Sequence, residues 1–234
     1  MDEKLSYLQE YNPNIRLVSS NEWTSMEAAV IPEVWRNIFK ETDITNRKEA
    51  LLEVWKSHVG TELRNTISYL DDYLEEIDLL ECEDVYSILY TIRNSTGDVS
   101  YYEGRNPQDA FPNSELEAHW DKLPPSLRNF YRHVHNGFYY YASESMGLVP
   151  LESVTYLGDD DLEWGILEEL EEPLQLDLTA SFGFFTNGMG SYIVIDAANC
   201  GENTGVFWSA KRQPKYNIHF WSYVDEWTVI GFQS

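Results

Sequence analysis

The run FGFFTNGMGSYIVID, residues 182–196, constrains the fold more than any other part of the chain. Two apolar stretches rich in aromatic and β-branched residues flank Asn187-Gly188. Such residues suit a pleated surface, and an Asn-Gly pair accepts the positive φ angles that a tight hairpin needs. The spacing therefore predicts an antiparallel hairpin, and NTGVFWSA, residues 203–210, predicts a third strand. A helix comes first. Pro124 and Pro125 suit a first helical turn, and Leu127, Phe130, Tyr131 and Val134 recur at i, i+3, i+4 and i+7. Gly137, following Asn136, is suited to end it at positive φ. Phe220, Tyr223, Val224 and Trp227 then space as a C-terminal helix. Helix, strands, helix is the order of an α+β domain, not of an alternating parallel α/β sheet.

The first part of the chain predicts a mainly helical region. Asn46 to Val59 carries Ala50, Leu51, Val54, Trp55 and His58 at helical spacing, and Asn46 with Glu49 matches a capping box. Gly60 reads as the stop and Thr61 as the next N-cap. Leu63, Ile67, Leu70 and Leu74 form the next apolar stripe. It continues into YLDDYLEEIDLLECEDVYSILY, acidic on one side and apolar on the other. The stretch around Tyr101 predicts a short strand and turn. The turn-rich residues 105–114 divide the chain into residues 1–115, of unassigned role, and a domain at residues 116–234.

Charge narrows the function classes. Asp and Glu number 40 against 16 Lys and Arg, a formal net charge of −24. Such a field repels phosphate backbones and anionic membrane surfaces and favours a cationic partner. Disorder is not the explanation, because 43% of residues are hydrophobic and 15% aromatic, enough for a large core. No Lys or Arg occurs between Arg132 and Lys211. Within that window GDDDLEWGILEELEEP holds Asp159, Asp160, Asp161, Glu163, Glu168, Glu169, Glu171 and Glu172, interleaved with Leu162, Trp164, Ile166, Leu167 and Leu170. Carboxylates around apolar anchors suit a basic partner surface. These eight acids, with Trp164 as anchor, are the candidate partner-binding residues. Asp71, Asp72, Glu75, Glu76, Asp78, Glu81, Glu83 and Asp84 form a second block, read as a solvated helix face.

Few residues suggest chemistry. Asp159, Asp161 and Glu163 alternate like the start of a calcium loop, but Trp164 and Leu170 occupy the positions that need Gly and Glu. His133 and His135 lie two helical steps apart and point to different sides, so they suit a helix C-terminus better than a metal. Cys82 and Cys200 are far apart and read as reduced, partly buried thiols. The nucleophile and phosphate-loop motifs are missing. No catalytic residue, metal or cofactor is expected, although a carboxylate pair of glycosidase type depends on spatial distance and stays open. Phe207, Trp208, Tyr216, Phe220, Trp221, Tyr223 and Trp227 read as core rather than a sugar-binding face. The opening MDEKLSYLQEYNPN has neither the basic nor the apolar region of a secretory signal, and no apolar run is long enough for a membrane helix. The expected address is the cytoplasm.

Several pieces occur in a telling order. Leu123-Pro124 leads into SLRNFYRHVHNG. Gly147-Leu148-Val149-Pro150-Leu151 follows, then Gly190-Ser191-Tyr192-Ile193-Val194-Ile195-Asp196, then Gly205-Val206-Phe207-Trp208 and a Phe-rich closing helix. Over residues 116–234 this set resembles the SMI1/KNR4, or SUKH, superfamily. The resemblance implies an α+β fold with a central, mostly antiparallel sheet flanked by helices, and no catalytic residues. It implies a non-catalytic immunity protein that binds and neutralises a cationic nuclease- or deaminase-type toxin domain, as bacterial members do. The alternative is a regulatory scaffold linked to cell-wall synthesis, as in fungal members; a carboxylate-pair glycoside hydrolase ranks below both.

Overall fold

The computed structural model describes residues 3–26, 30–109, 113–201 and 203–234. The elements are α1 (Glu3–Tyr11), β1 (Arg16–Leu17), α2 (Ser20–Ser25), α3 (Glu33–Lys40), α4 (Ile44–Val59), α5 (Arg64–Tyr73), β2 (Leu74–Cys82), β3 (Val85–Arg93), β4 (Val99–Arg105), α6 (Ser114–His119), α7 (Pro125–Asn129), β5 (Phe138–Tyr140), β6 (Ser145–Leu148), β7 (Thr155–Tyr156), β8 (Ser181–Thr186), β9 (Ser191–Asp196), β10 (Thr204–Ser209), β11 (Lys215–His219) and α8 (Phe220–Phe232). The fold is α+β. One 11-stranded sheet runs β1-β2-β3-β4-β5-β6-β8-β9-β10-β11, with β7 paired to β8. Every described pairing is antiparallel.

The second half follows its sequence pattern. The β8–β9 hairpin pairs Ser181 with Asp196 and turns through Gly188 at φ +73. The expected third strand is β10, against β9. Helix α7 widens after Asn129 into a looser turn, closed by His135 N donating to Phe130 O at 3.1 Å, and Gly137 takes φ +85.

The expected helical first part is met only in part. Helices α1 to α5 are present, but the acidic stretch after Tyr73 is a hairpin of β2 and β3, not a helix. Val85, Ile88, Tyr90, Thr91 and Ile92 are strand formers, and that preference overrides the helical spacing of the carboxylates upstream. The hairpin turns on Glu83-Asp84, at φ 49 and 68, a two-residue turn without the usual Asn-Gly signal. The caps also differ. Asp43, not Asn46, caps α4, accepting from Thr45 N at 2.9 Å and Asn46 N at 3.2 Å. Gly60 stays right-handed at φ −63, so it does not end the helix by turning left-handed.

Thr61 does not cap α5; Asp225, from α8, does so across the fold. Its carboxylate accepts from Thr66 N at 2.7 Å, Asn65 N at 3.0 Å and the Thr66 hydroxyl at 2.8 Å. The sheet itself crosses position 115, since β4 pairs with β5 through Tyr102↔Tyr140 and Gly104↔Phe138. Of the turn-rich stretch between them, residues 110–112 lie outside the described residues.

Period-two alternation sends side chains to both faces of the sheet. Ile77, Leu79, Ile88, Tyr102, Ile193 and Phe207 join the main core under α3, α4, α5, α7 and α8. Leu80 and Leu89 point the other way, to Leu8 of α1. Val194, Val206 and Trp208 also face away from the main core and are covered by residues 157–178. Inside the main core, Trp55 Nε1 donates to Tyr90 Oη at 3.0 Å, and Tyr90 Oη lies 2.6 Å from His135 Nε2. Gly104 makes room for that imidazole, as a Cβ there would fall 2.6 Å from the ring. No helix among the described residues is long and apolar enough to cross a membrane.

Candidate functional site

The acidic segment 158–173 is a strap laid across the outer face of β9 and β10. Its sequence explains how it is held. Isolated apolar residues among acids cannot build an element of their own, but each can drop into the sheet beneath. Ile166 is buried against Trp208 and Val206, and Leu157 and Leu176 secure the two ends. Trp164 Nε1 donates to Leu157 O at 3.0 Å, and its ring stands edge-on to Tyr192 and Trp208, with centroids 5.9 and 5.6 Å away. Ile166 N donates to Ala210 O at 3.1 Å. Gln213 clamps the far end, donating to Glu169 O at 2.8 Å and accepting from Glu171 N at 3.2 Å.

Anchored in this way, the strap turns its charges outward. Asp159, Asp160, Asp161, Glu163, Glu168, Glu169, Glu171 and Glu172 are all exposed, and none forms an ion pair among the described residues. Asp159 turns inward only locally, its Oδ1 accepting from Asp161 N at 3.0 Å. Lys211 and Arg212 follow Ala210 in the neighbouring turn and are exposed, yet neither is paired with a strap carboxylate.

Trp164 has a second task in the structure. It is half-buried and pins the strap, so only part of its ring is open to a partner. The apolar side chains that reach solvent are Leu162, 38% exposed, and Leu167, 37% exposed. Their sequence signal was the same interleaving that drew attention to Trp164; the large ring wins the buried position because it covers more apolar surface. Trp164→Ala should lower stability by about 2 kcal/mol, for a half-buried indole and one hydrogen bond. Cleavage by a Glu-specific protease at Glu168 and Glu169 should accelerate. Unchanged cleavage and stability would show that Trp164 does not hold the strap.

The second acidic block differs in kind. Asp71 and Asp72 are on α5, Glu75, Glu76, Asp78 and Glu81 on β2, and Glu83 and Asp84 in the hairpin turn, not on one helix face. Lys4 bridges Glu76 and Asp78, Arg16 pairs with Glu81, and Arg93 with Glu75. Among the described residues, three cations thus pair with four of the eight acids, all four on β2. The block is also far from the strap, since β2 and β10 stand seven places apart in the sheet, roughly 33 Å at ~4.8 Å per strand.

The histidines separate as expected, but for another reason. His133 is exposed and stacks on His58 with centroids 4.6 Å apart. His135 is buried and neutral, its pKa lowered to about 3 by desolvation, and does not serve as a charge at a helix end. Cys82 and Cys200 are unbridged and partly buried. Phe207, Trp208, Phe220 and Trp221 are core residues, while Tyr216, Tyr223 and Trp227 are half-buried against the cores. Among the described residues, no group of three or more His, Cys, Asp or Glu could hold a metal ion. No family model, curated protein or solved structure matches the chain.

Proposed function

We propose that this is a non-catalytic binding protein of the SMI1/KNR4 immunity type, acting in the cytoplasm, and that its strap docks a cationic nuclease- or deaminase-type toxin domain. One observation carries the reading. Eight exposed carboxylates lie on a pinned segment, none of them ion-paired among the described residues, beside two exposed leucines. Mutual repulsion among such groups is relieved when a basic surface arrives, and charges of this kind act chiefly on the rate of encounter. A toxin that acts on nucleic acid must itself accept a polyanion. A rigid row of carboxylates can therefore occupy the same groove, with Leu162 and Leu167 giving dry contacts at its centre. The paired acids of β2 offer less, because their cations would have to be displaced first.

The test is a charge reversal. Asp159, Asp160 and Asp161 replaced together by Lys should slow association with a cationic nuclease-type toxin domain that the wild type binds by about tenfold or more at low salt. The dependence of on-rate on ionic strength should flatten as well, because surface charges are screened over about 8 Å at physiological salt. Stopped-flow association across a salt series measures both. A variant that stays folded and keeps the same on-rate and salt slope would remove the strap from the interface. Rescue of cells from one toxin, against recovery of many host partners, separates the immunity reading from the regulatory scaffold.

A further inference from the structure

Beside α1, on the sheet face opposite the main core, is a cleft of about 450 Å³. Alternation along β4 sends Tyr102 to the core and Glu103 into this cleft, where the register sets Glu103 beside Tyr139 of β5. Tyr139 Oη donates to Glu103 Oε2 at 3.2 Å, and Ser87 supplies a second side-chain hydrogen bond. No cation lies within ion-pair distance of Glu103 among the described residues. The cleft's arginine, Arg105, is taken by Glu152 at 2.6 Å. Arg105 therefore acts on the half-buried Glu103 through its field and not as a direct ion pair, and a carboxylate in that position gains from a cation in contact.

The surroundings add to the negative potential. Glu83 and Glu144 line the rim. The carboxyl end of α1, with no basic residue in its last turn, borders the opening at Tyr11 and Asn12. The walls are aromatic. Tyr11 is half-exposed and stands edge-on to Tyr141, with centroids 6.2 Å apart.

We propose that this cleft binds a guanidinium group, with the Glu103 carboxylate as its counter-ion and the Tyr11 ring as its stacking wall. A guanidinium fits better than an ammonium, because it is planar, weakly hydrated, able to bond a carboxylate at two points and able to stack on an aromatic face. Burial holds the Glu103 carboxyl above the usual carboxylate range despite the opposing pull of Ser87, Arg105 and Tyr139, and a cation in direct contact would bring it down. The group could belong to a free alkylguanidine or to an arginine side chain of a protein.

Titration of the labelled full chain with N-acetyl-arginine amide, followed by NMR, tests this. N-acetyl-citrulline amide is the uncharged isostere. The arginine amide should saturate with Kd of about 1 mM, the scale of one desolvated ion pair with stacking, shifting Ser87, Glu103, Tyr139 and Tyr141, and citrulline amide should leave them unmoved. Glu103→Gln should weaken binding about tenfold or more. Glu144→Gln changes only an exposed turn residue and should weaken it about threefold through the field alone. A short arginine peptide that binds tighter than the amide points to a protein side chain, and equal affinity points to a free guanidine. Absence of saturation, equal binding of citrulline amide, or unchanged affinity in both variants overturns the proposal.

Discussion

Replacing Asp225 by Ala should destabilise the protein by about 3 kcal/mol, combining the loss of a helix cap with loss of charge-assisted hydrogen bonds to buried donors. Asp225 is only 5% exposed. Its two oxygens satisfy Asn65 N and Thr66 N at the start of α5, and Oδ1 also takes the Thr66 hydroxyl. Ala leaves the buried Thr66 N–H without its acceptor, opens the Asn65 N–H to solvent, and leaves the Thr66 hydroxyl only the longer bond to Asp225 O at 3.5 Å. For a chain of this size, that corresponds to a fall in Tm of about 6–12 °C. Asp225→Asn keeps one acceptor oxygen but turns an amide toward a backbone N–H, so it should cost about half as much. Chemical denaturation and thermal melting measure both. A loss below about 1 kcal/mol for Ala would mean that α5 is held by its apolar stripe alone. The effect reaches beyond one helix, because the bond joins an element before residue 115 to the last helix of the chain.

Acid should unfold the protein partly through His135. The unfolded chain takes a proton at this histidine near the ordinary value of 6.5, whereas burial lowers the folded pKa to about 3. Between those values the unfolded state binds the extra proton, so stability is full above pH 6.5 and falls as pH drops toward 3. The loss should be about 2 kcal/mol between pH 6.5 and 4.5, and about 4 kcal/mol by pH 3. The geometry explains why neutrality is enforced. Tyr90 Oη, already receiving Trp55 Nε1, donates to His135 Nε2, and Nδ1 lies 3.3 Å from Arg105 O, which can only accept. The tautomer with hydrogen on Nδ1 satisfies every group. A proton on Nε2 would set two donors against each other. His135→Gln removes the titration, so the stability advantage of the wild type over this variant should shrink as pH falls. A constant gap between pH 7 and pH 4.5 would falsify the assignment.

The β8–β9 hairpin and α8 were legible because their signals are local: an Asn-Gly turn between β-forming runs, and a helical apolar stripe. The β2–β3 hairpin was not. Its carboxylates mimic a helical face, its turn is Glu83-Asp84, and both faces of β3 are buried, which erases the alternation of a half-exposed strand. At the strap, the acids were legible as a run, and their solvent exposure followed. Which hydrophobic residue reaches solvent was not, because that depends on whether Trp208 and Tyr192 lie beneath Trp164. Glu103 gave no signal; its position depends on the register of β4 against β5, set by contacts far apart in the chain.

The sequence by itself determined the α+β class, the last helix, the hairpin at Asn187-Gly188 and the acidity that disfavours a phosphate partner. Each follows from neighbours within one turn or one strand, or from a sum over composition. Tertiary structure alone decided which acids are neutralised and which stay bare. Lys4 and Arg16 reach β2 from elements distant in sequence, while no basic side chain pairs with the strap carboxylates. Charge pairing falls off with distance through space and is screened within about 8 Å of solvent, so two acidic runs of similar composition acquire different electrostatic fates once the chain is folded.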